Sequence, residues 1–172
     1  MCVAPAALAN PGLPGAETHV ILGVFSFKAF YSMPTTIRIA AALLIGPEGQ
    51  TLLVRKRGTQ AFMQPGGKID AGEQPSEALA RELYEELNLR IDPSAAVYLG
   101  TFSAPAVNEP GYTVQAQLFQ VQIDVPVTPA AEIEEVRWID PAGDGGLVLA
   151  PLTRDVILPF YRKSLTTQAC NA

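Results

Sequence analysis

The stretch GGKIDAGEQPSEALARELYEELN, Gly66 to Asn88, carries six carboxylates in twenty-three residues. Pro75 suits the first position of a helix and Glu77 its first turn, so a helix is expected to start there. At about 100° per residue, with Glu82 at zero, Leu79, Leu83 and Leu87 fall near 60°, 100° and 140°. They form a core stripe. Glu86 lies near 40°, beside that stripe, and Glu85 near 300°. A solvated acidic face would accommodate these charges through the i,i+4 pairs Glu77–Arg81 and Glu86–Arg90. It leaves Glu82 and Glu86 as a like-charge pair, disfavoured by roughly 0.2–0.5 kcal/mol when exposed and more near a core. A hard cation held between them reverses that sign, and clustered carboxylates suit Mg²⁺ or Mn²⁺.

Outward from the helix, IRIAAALLI places Ile37, Ile39, Ala41, Leu43 and Ile45 on one strand face. After the turn GPEGQ, TLLVRKR returns with Leu52 and Val54 on one side. RGTQAFMQPGGKIDAGE reads as loop. Beyond the helix, VYLGTFSA, YTVQAQLFQVQI and EEVRWI read as strands. A change of phase at Leu118–Phe119 predicts a bulge or a switch of buried face. A last helix is expected from about Pro151 to Lys163, disturbed near Pro159. The order β-β-α-β-β-β-α argues for one α/β sandwich. Residues 1–33 read as a loosely ordered leader, with one added strand over Val20–Phe27 and Met33 a candidate initiator. Residues 34–165 form the domain and 166–172 a tail.

Composition narrows the chemistry. The 172 residues carry a net charge of −5 and 48% apolar side chains, which describes a globular protein without general electrostatic help in gripping nucleic acid. Cys2 and Cys170 show no metal-type spacing and fit free thiols in a reducing, cytoplasmic compartment. His19 is the single histidine, so acid–base and metal chemistry fall to carboxylates. The leading apolar run is too short to span a bilayer, and no membrane partner is expected.

The spacing G-x5-E-x7-R-E-U-x-E-E-x-G-U, with U a bulky aliphatic, is the Nudix box. Gly67, Glu73, Arg81, Glu82, Leu83, Glu85, Glu86 and Leu89 stand at its intervals. The chain therefore resembles the Nudix family, with eight of nine fixed positions matched. Asn88 replaces the usual Gly, and Asn is the next best residue for the left-handed backbone expected there. The resemblance implies an α/β/α sandwich with a mixed central sheet. It also implies a metal-dependent hydrolase of nucleoside diphosphate derivatives: a nucleoside triphosphate (oxidised ones included), an ADP-ribose-like compound or another small nucleotide. Glu82 and Glu86 are its implied main metal ligands, with Glu85 and the Gly66 carbonyl as further ones. Arg81 is implied to hold Glu73 and the carboxylates in place. The general base varies in the family, and Glu109, Glu132, Glu134 and Glu135 are candidates here.

Arg55, Lys56 and Arg57 end a strand leading to the metal loop, and Arg55 and Arg57 are expected to meet phosphate. Phe62, Tyr112 and Trp138 are candidates to stack on a base, Phe62 foremost, though each also suits a core. The loop segments Ser103–Pro105 and Val107–Pro110 are expected to shape the pocket. A homodimer stays open. The competing reading is a catalytically silent nucleotide-binding or interaction module, which the complete set of box carboxylates disfavours. A Nudix-fold isomerase would want Cys and His chemistry that residues 34–165 lack.

Overall fold

In a computed structural model the described residues are 35–106 and 109–170. The leader, the strand expected over Val20–Phe27, and Val107 and Asn108 lie outside them. Seven strands form one mixed sheet: β1 (Thr35–Ile45), β2 (Thr51–Lys56), β3 (Phe62–Met63), β4 (Gly66–Lys68), β5 (Val97–Pro105), β6 (Tyr112–Gln122) and β7 (Ile133–Ile139). The principal order is β3-β2-β1-β6-β5, with β7 on β2 and β4 on β1. β1 and β6 run parallel in unbroken register from Thr35↔Tyr112 to Ile45↔Gln122. On its other side β1 meets β2 only at Ile45↔Thr51, and β4 fills part of the gap through Ile39↔Lys68 to Ala41↔Gly66.

Helix α1 (Pro75–Leu87) covers one face and α2 (Leu158–Cys170) lies in the layer on the other. This is the expected α/β/α sandwich. Leu79, Leu83 and Leu87 are fully buried against Ala42, Leu44 and Val54, each contributing about 1.5–3 kcal/mol by burial. α1 begins at Pro75, and the Glu77 carboxylate accepts from the Gln74 N–H at 3.3 Å. It ends at Asn88, whose φ of 52° is left-handed, as the missing Gly predicts.

The structure overturns some expectations and sharpens others. The stretch read as loop contains β3 and β4, too short for periodicity to register. β1 is buried on both faces from Ala40 onward: Ala41, Leu43 and Ile45 face α2, while Ala40, Ala42 and Leu44 face α1. At Leu118–Phe119 the buried face switches without a bulge in β6; the irregularity lies opposite, between Tyr98 and Gly100 of β5. The last helix begins as a π-helical turn, Leu152–Ile157, in which the Leu158 N–H reaches the Thr153 carbonyl. Its wider turn sits just ahead of Pro159, whose ring crowds the carbonyl four residues back. α2 then continues through Cys170, past the expected end at Lys163. Among the described residues no helix is long and apolar enough to cross a membrane.

Candidate active site

Where β1 and β2 diverge, a cleft of about 460 Å³ opens beside β4. Its wall mixes charged side chains, Lys56, Lys68, Glu82, Glu109 and Glu132, with apolar ones, Ile37, Ile39, Met63, Val114 and Leu152. A roomier cavity of about 560 Å³, bordered by Gly46, Gln122 and Tyr161, holds none of the box carboxylates. The smaller cleft is therefore the candidate site.

The glycine pair seats the helix carboxylates. A Cβ on Gly67 would lie 2.3 Å from the Glu82 carboxyl carbon, so only glycine leaves that carboxylate its place. Gly66 sits at φ 133°, with its missing Cβ 2.2 Å from the Ala40 carbonyl oxygen. Its N–H donates to Glu86 Oε2 at 2.9 Å. Glu86, one turn beyond Glu82, is 1% exposed just beneath the cleft wall. Lys56 Nζ lies 3.1 Å from its Oε1 and 2.9 Å from Glu132 Oε1. The Lys56–Oε1 contact is an ion pair without good hydrogen-bond alignment, which leaves Oε1 short of a directed donor. Burial pushes the Glu86 carboxyl up to about 7, against the opposing pull of Lys56 and the Gly66 N–H. Burial alone would lower Lys56, but Glu86 and Glu132 outweigh it and hold the ammonium above its usual value.

Arg81 organises the outer side. It donates to both oxygens of Glu73 (2.9 and 3.0 Å), to Glu82 Oε1 (2.8 Å) and to the Lys68 carbonyl (3.1 Å). Its hydrogen bonds hold Glu73 below the usual carboxylate range. Glu85 is half exposed and 3.7 Å from Arg81. The two i,i+4 pairs proposed for a solvated face do not form. Glu77 caps the helix start, Arg81 turns to Glu73 and Glu82, Glu86 is buried, and Arg90 stacks 4.0 Å over the Tyr84 ring.

The substrate contacts expected outside the box are placed differently. Arg55 is tied to Glu134 at 2.8 Å and Glu135 at 2.9 Å and stacks on Phe62. A β-bulge opposite Arg55 and Lys56 adds the residue that lets both glutamates reach it. Arg57 is exposed and, like Arg55, does not line the cleft. Phe62 packs in the core with Leu53, Leu149 and Leu158, so its ring has no face for a base. Tyr112 and Trp138 are partly exposed but also off the cleft. Of the three cations ending β2, Lys56 is the one that enters. Strand alternation carried the signal: Leu52 and Val54 face α1, so Lys56 does too, while Leu53 and Arg55 face away. Pro105 does border the cleft, as expected, but Ser103–Pro105 is the end of strand β5 and not loop. Gln64 and Thr153, also on its wall, were not singled out by sequence, and no spacing links them.

The donor set suits a hard divalent cation: carboxylates and a backbone carbonyl, with the underpartnered Glu86 Oε1 at its centre. Among the described residues no three acidic, His or Cys side chains already converge as a ligand group. Lys56 and Arg81 supply the positive charge there instead.

Comparison with known proteins agrees with this architecture. The NUDIX domain model matches residues 35–143, well over half of the sequence, and the chain belongs to the Nudix family. Among curated proteins, the Myxococcus xanthus protein named octanoyltransferase is 38% identical over 113 residues, 61% of this chain and 30% of that protein. The Haemophilus influenzae 8-oxo-dGTP diphosphatase is 44% identical over 57 residues, 31% of this chain and 42% of that protein. The Shewanella woodyi RNA pyrophosphohydrolase is 48% identical over 42 residues, 24% of each. The matched region thus spans less than half the length of each of these relatives. Among solved structures, the MutT protein from Methanosarcina mazei Go1 superposes with a TM-score of 0.65 at 21% identity, covering 77% of this chain and 96% of that one. A putative nudix hydrolase family member from Chromobacterium violaceum gives 0.55 at 27% identity, covering 78% and 88%.

Proposed function

We propose that residues 34–165 form a hydrolase that cleaves the pyrophosphate linkage of a nucleoside diphosphate derivative with Mg²⁺ or Mn²⁺. The observation that carries this reading is the seating of Glu82 and Glu86, on successive turns of α1, against Gly67 and Gly66. That arrangement sets the Glu82 carboxylate and Gly66 on the wall of a cleft of ligand size, with Glu86 buried behind Gly66. Glu82 and Glu86 would hold the cation, with Glu85 and the Gly66 carbonyl as further ligands. When bound, the cation supplies Lewis acidity toward the phosphate oxygens.

The chain's own residues do the rest. Lys56 and Lys68 set positive charge against the polyphosphate, and Arg81 positions Glu73 and Glu82 without touching substrate. A water oxygen attacks phosphorus while the bridging P–O bond breaks toward the leaving phosphate, and a carboxylate takes the water's proton. Glu109 and Glu132 border the cleft, and Glu109 suits that role better, because Glu132 is held by Lys56 as Glu134 and Glu135 are by Arg55. The name of the Haemophilus relative supports a small nucleotide, an oxidised nucleoside triphosphate, as substrate, and that of the Shewanella relative supports the pyrophosphohydrolase reaction. A cysteine spacing that fits free thiols and the acidic composition favour a cytoplasmic enzyme that does not grip nucleic acid.

The test is phosphate and pyrophosphate release from a nucleotide panel, with and without Mg²⁺, for the parent and Glu86→Gln. The parent should turn over at least one nucleotide only with metal. The variant should fall by about 10²-fold or more, the scale of losing a key electrostatic group. Mg²⁺ should raise the parent's melting temperature by mass action and the variant's much less. Parental turnover by Glu86→Gln, with unchanged metal dependence, would sink the reading.

A further inference from the structure

Among the described residues, three buried side-chain atoms lack a hydrogen-bond partner: Thr51 Oγ1, Gln64 Nε2 and Glu86 Oε1. Glu86 has its ion pair with Lys56, and Thr51 lines neither cavity. Gln64 is different. It is 93% buried, since 7% of it is exposed, and it lies on the wall of the active cleft beside Thr153, which is fully buried. The Thr153 hydroxyl donates to Gln64 Oε1 at 2.7 Å. In this arrangement the amide oxygen is engaged and both Nε2 hydrogens lack an acceptor. A buried donor in that condition is unfavourable unless something fills it.

The surroundings say what kind of group does. The cleft wall combines apolar side chains, Ile37, Ile39, Met63, Val114 and Leu152, with charged ones suited to phosphate and metal, Lys56, Lys68 and Glu82. A ligand matching both carries a flat, weakly polar group with one strong acceptor besides its phosphates. A carbonyl on a nucleobase has that chemistry. Two segments far apart in the chain cooperate: Gln64 lies between β3 and β4, and Thr153 stands in the π-helical turn. The wider turn holds the hydroxyl that orients the amide. Gln64's terminal torsion is broad, so a small rotation turns an N–H toward the cleft while Thr153 follows.

We infer that Gln64, oriented by Thr153, is a specificity-determining residue that donates from Nε2 to a carbonyl of an oxo-base nucleotide. The inference rests on the nucleotide reading above and adds the part of the substrate that is recognised. Gln64 would touch the base; Thr153 acts through it as a positioning residue.

The test is calorimetric binding to the metal-free protein, where no turnover occurs. Its probes are the 5′-monophosphates of inosine, guanosine, uridine and thymidine, with ribose 5-phosphate as the base-less reference. The parent should bind at least one of the four about 10-fold or more tightly than ribose 5-phosphate, the scale of one hydrogen bond to an otherwise unpaired buried donor. Gln64→Met, similar in length and flexible, should lose that advantage while ribose 5-phosphate binds as before. Thr153→Val should lose part of it. With the best triphosphate substrate, Gln64→Met should raise KM more than it lowers kcat. If Gln64→Met melts well below the parent, Gln64→Glu gives the same reading, because it keeps Thr153's acceptor and removes the donor. An advantage that survives in these variants, or four nucleotides bound no better than ribose 5-phosphate, overturns the inference. Lost discrimination in a protein without metal-dependent hydrolysis would sink only the catalytic proposal. Intact hydrolysis with unchanged binding in Gln64→Met would sink only this one.

Discussion

In and beneath the cleft wall, charged side chains hold one another: Arg81 grips Glu73 and Glu82, and Lys56 bridges Glu86 and Glu132. The apolar residues of the same wall, Ile37, Val114 and Leu152, come from three separate parts of the chain, as do Gln64 and Thr153, which bond to each other there. The charged set is built mostly from residues 56–86, on one helix and the strands leading to it. The apolar set exists only after β1, β6 and the π-helical turn have assembled. Chemistry that must place several carboxylates to within an ångström draws on local, repeatable spacing. Discrimination among ligands draws on surfaces that any fold can line differently.

The two glycines that seat the carboxylates give the sharpest way to break that contrast, and after Glu86→Gln they carry the largest expected effects. At Gly67 a new methyl would meet the mobile end of Glu82. Gly67→Ala should therefore melt within a few degrees of the parent while turnover drops by about 10-fold or more, because Glu82 is displaced from where its charge acts. At Gly66 the methyl would meet the Ala40 backbone in a left-handed conformation. Gly66→Ala should lose about 2–3 kcal/mol or more of stability as well as activity. Urea titration beside a release assay separates the two, and equal destabilisation by both would show that Gly67 is structural.

A second prediction concerns pH in metal-free buffer. The Glu86 carboxyl is raised from 4.5 to about 7, so the folded state holds its proton more tightly than the unfolded state. Its contribution is fully present below about pH 4.5 and is lost as pH rises through about 7, by about 3 kcal/mol at most. Glu73 and Glu132 are lowered instead, and their contributions are present above the unfolded value and lost as pH falls below it. Chelator-treated parent should thus weaken between pH 5 and 7.5, and Glu86→Gln should be flat there and at least as stable at pH 7.5. A parental slope in the variant would mean another group titrates.

The smallest effect is expected at Asn88. Gly accepts its left-handed backbone without strain, while the Asn88 amide makes only a long, 3.5 Å contact to the Thr128 carbonyl. Asn88→Gly should change stability by a few tenths of a kcal/mol. A loss beyond about 1 kcal/mol would show that this contact matters.

These contrasts also explain what the sequence made legible. The box residues announced themselves because a helix repeats every 3.6 residues and the chemistry fixes their spacing. The left-handed Asn88 followed from the same spacing. Period-two alternation could have separated Lys56 from Arg55, but three cations in a row read as one group. Phe62 went to the core because β3, two residues long, is too short to show which way it faces. Gln64 and Thr153 lie 89 residues apart, and nothing short-range in a sequence announces a partner at that distance.

The parallel pairing of β1 with β6 also bears on how the chain is made. Every partner in that ladder emerges 77 residues after its mate, Thr35 before Tyr112 and Ile45 before Gln122. At about 5–20 residues per second, β1 waits roughly 4–15 s for the neighbour that completes it. Throughout that interval AAALLI, meant for burial on both faces, can meet β2, β4 and α1 among the described residues but lacks the strand that pairs with its whole length. Ala40–Ile45 is therefore a segment that a ribosome-associated chaperone has reason to cover until β6 arrives.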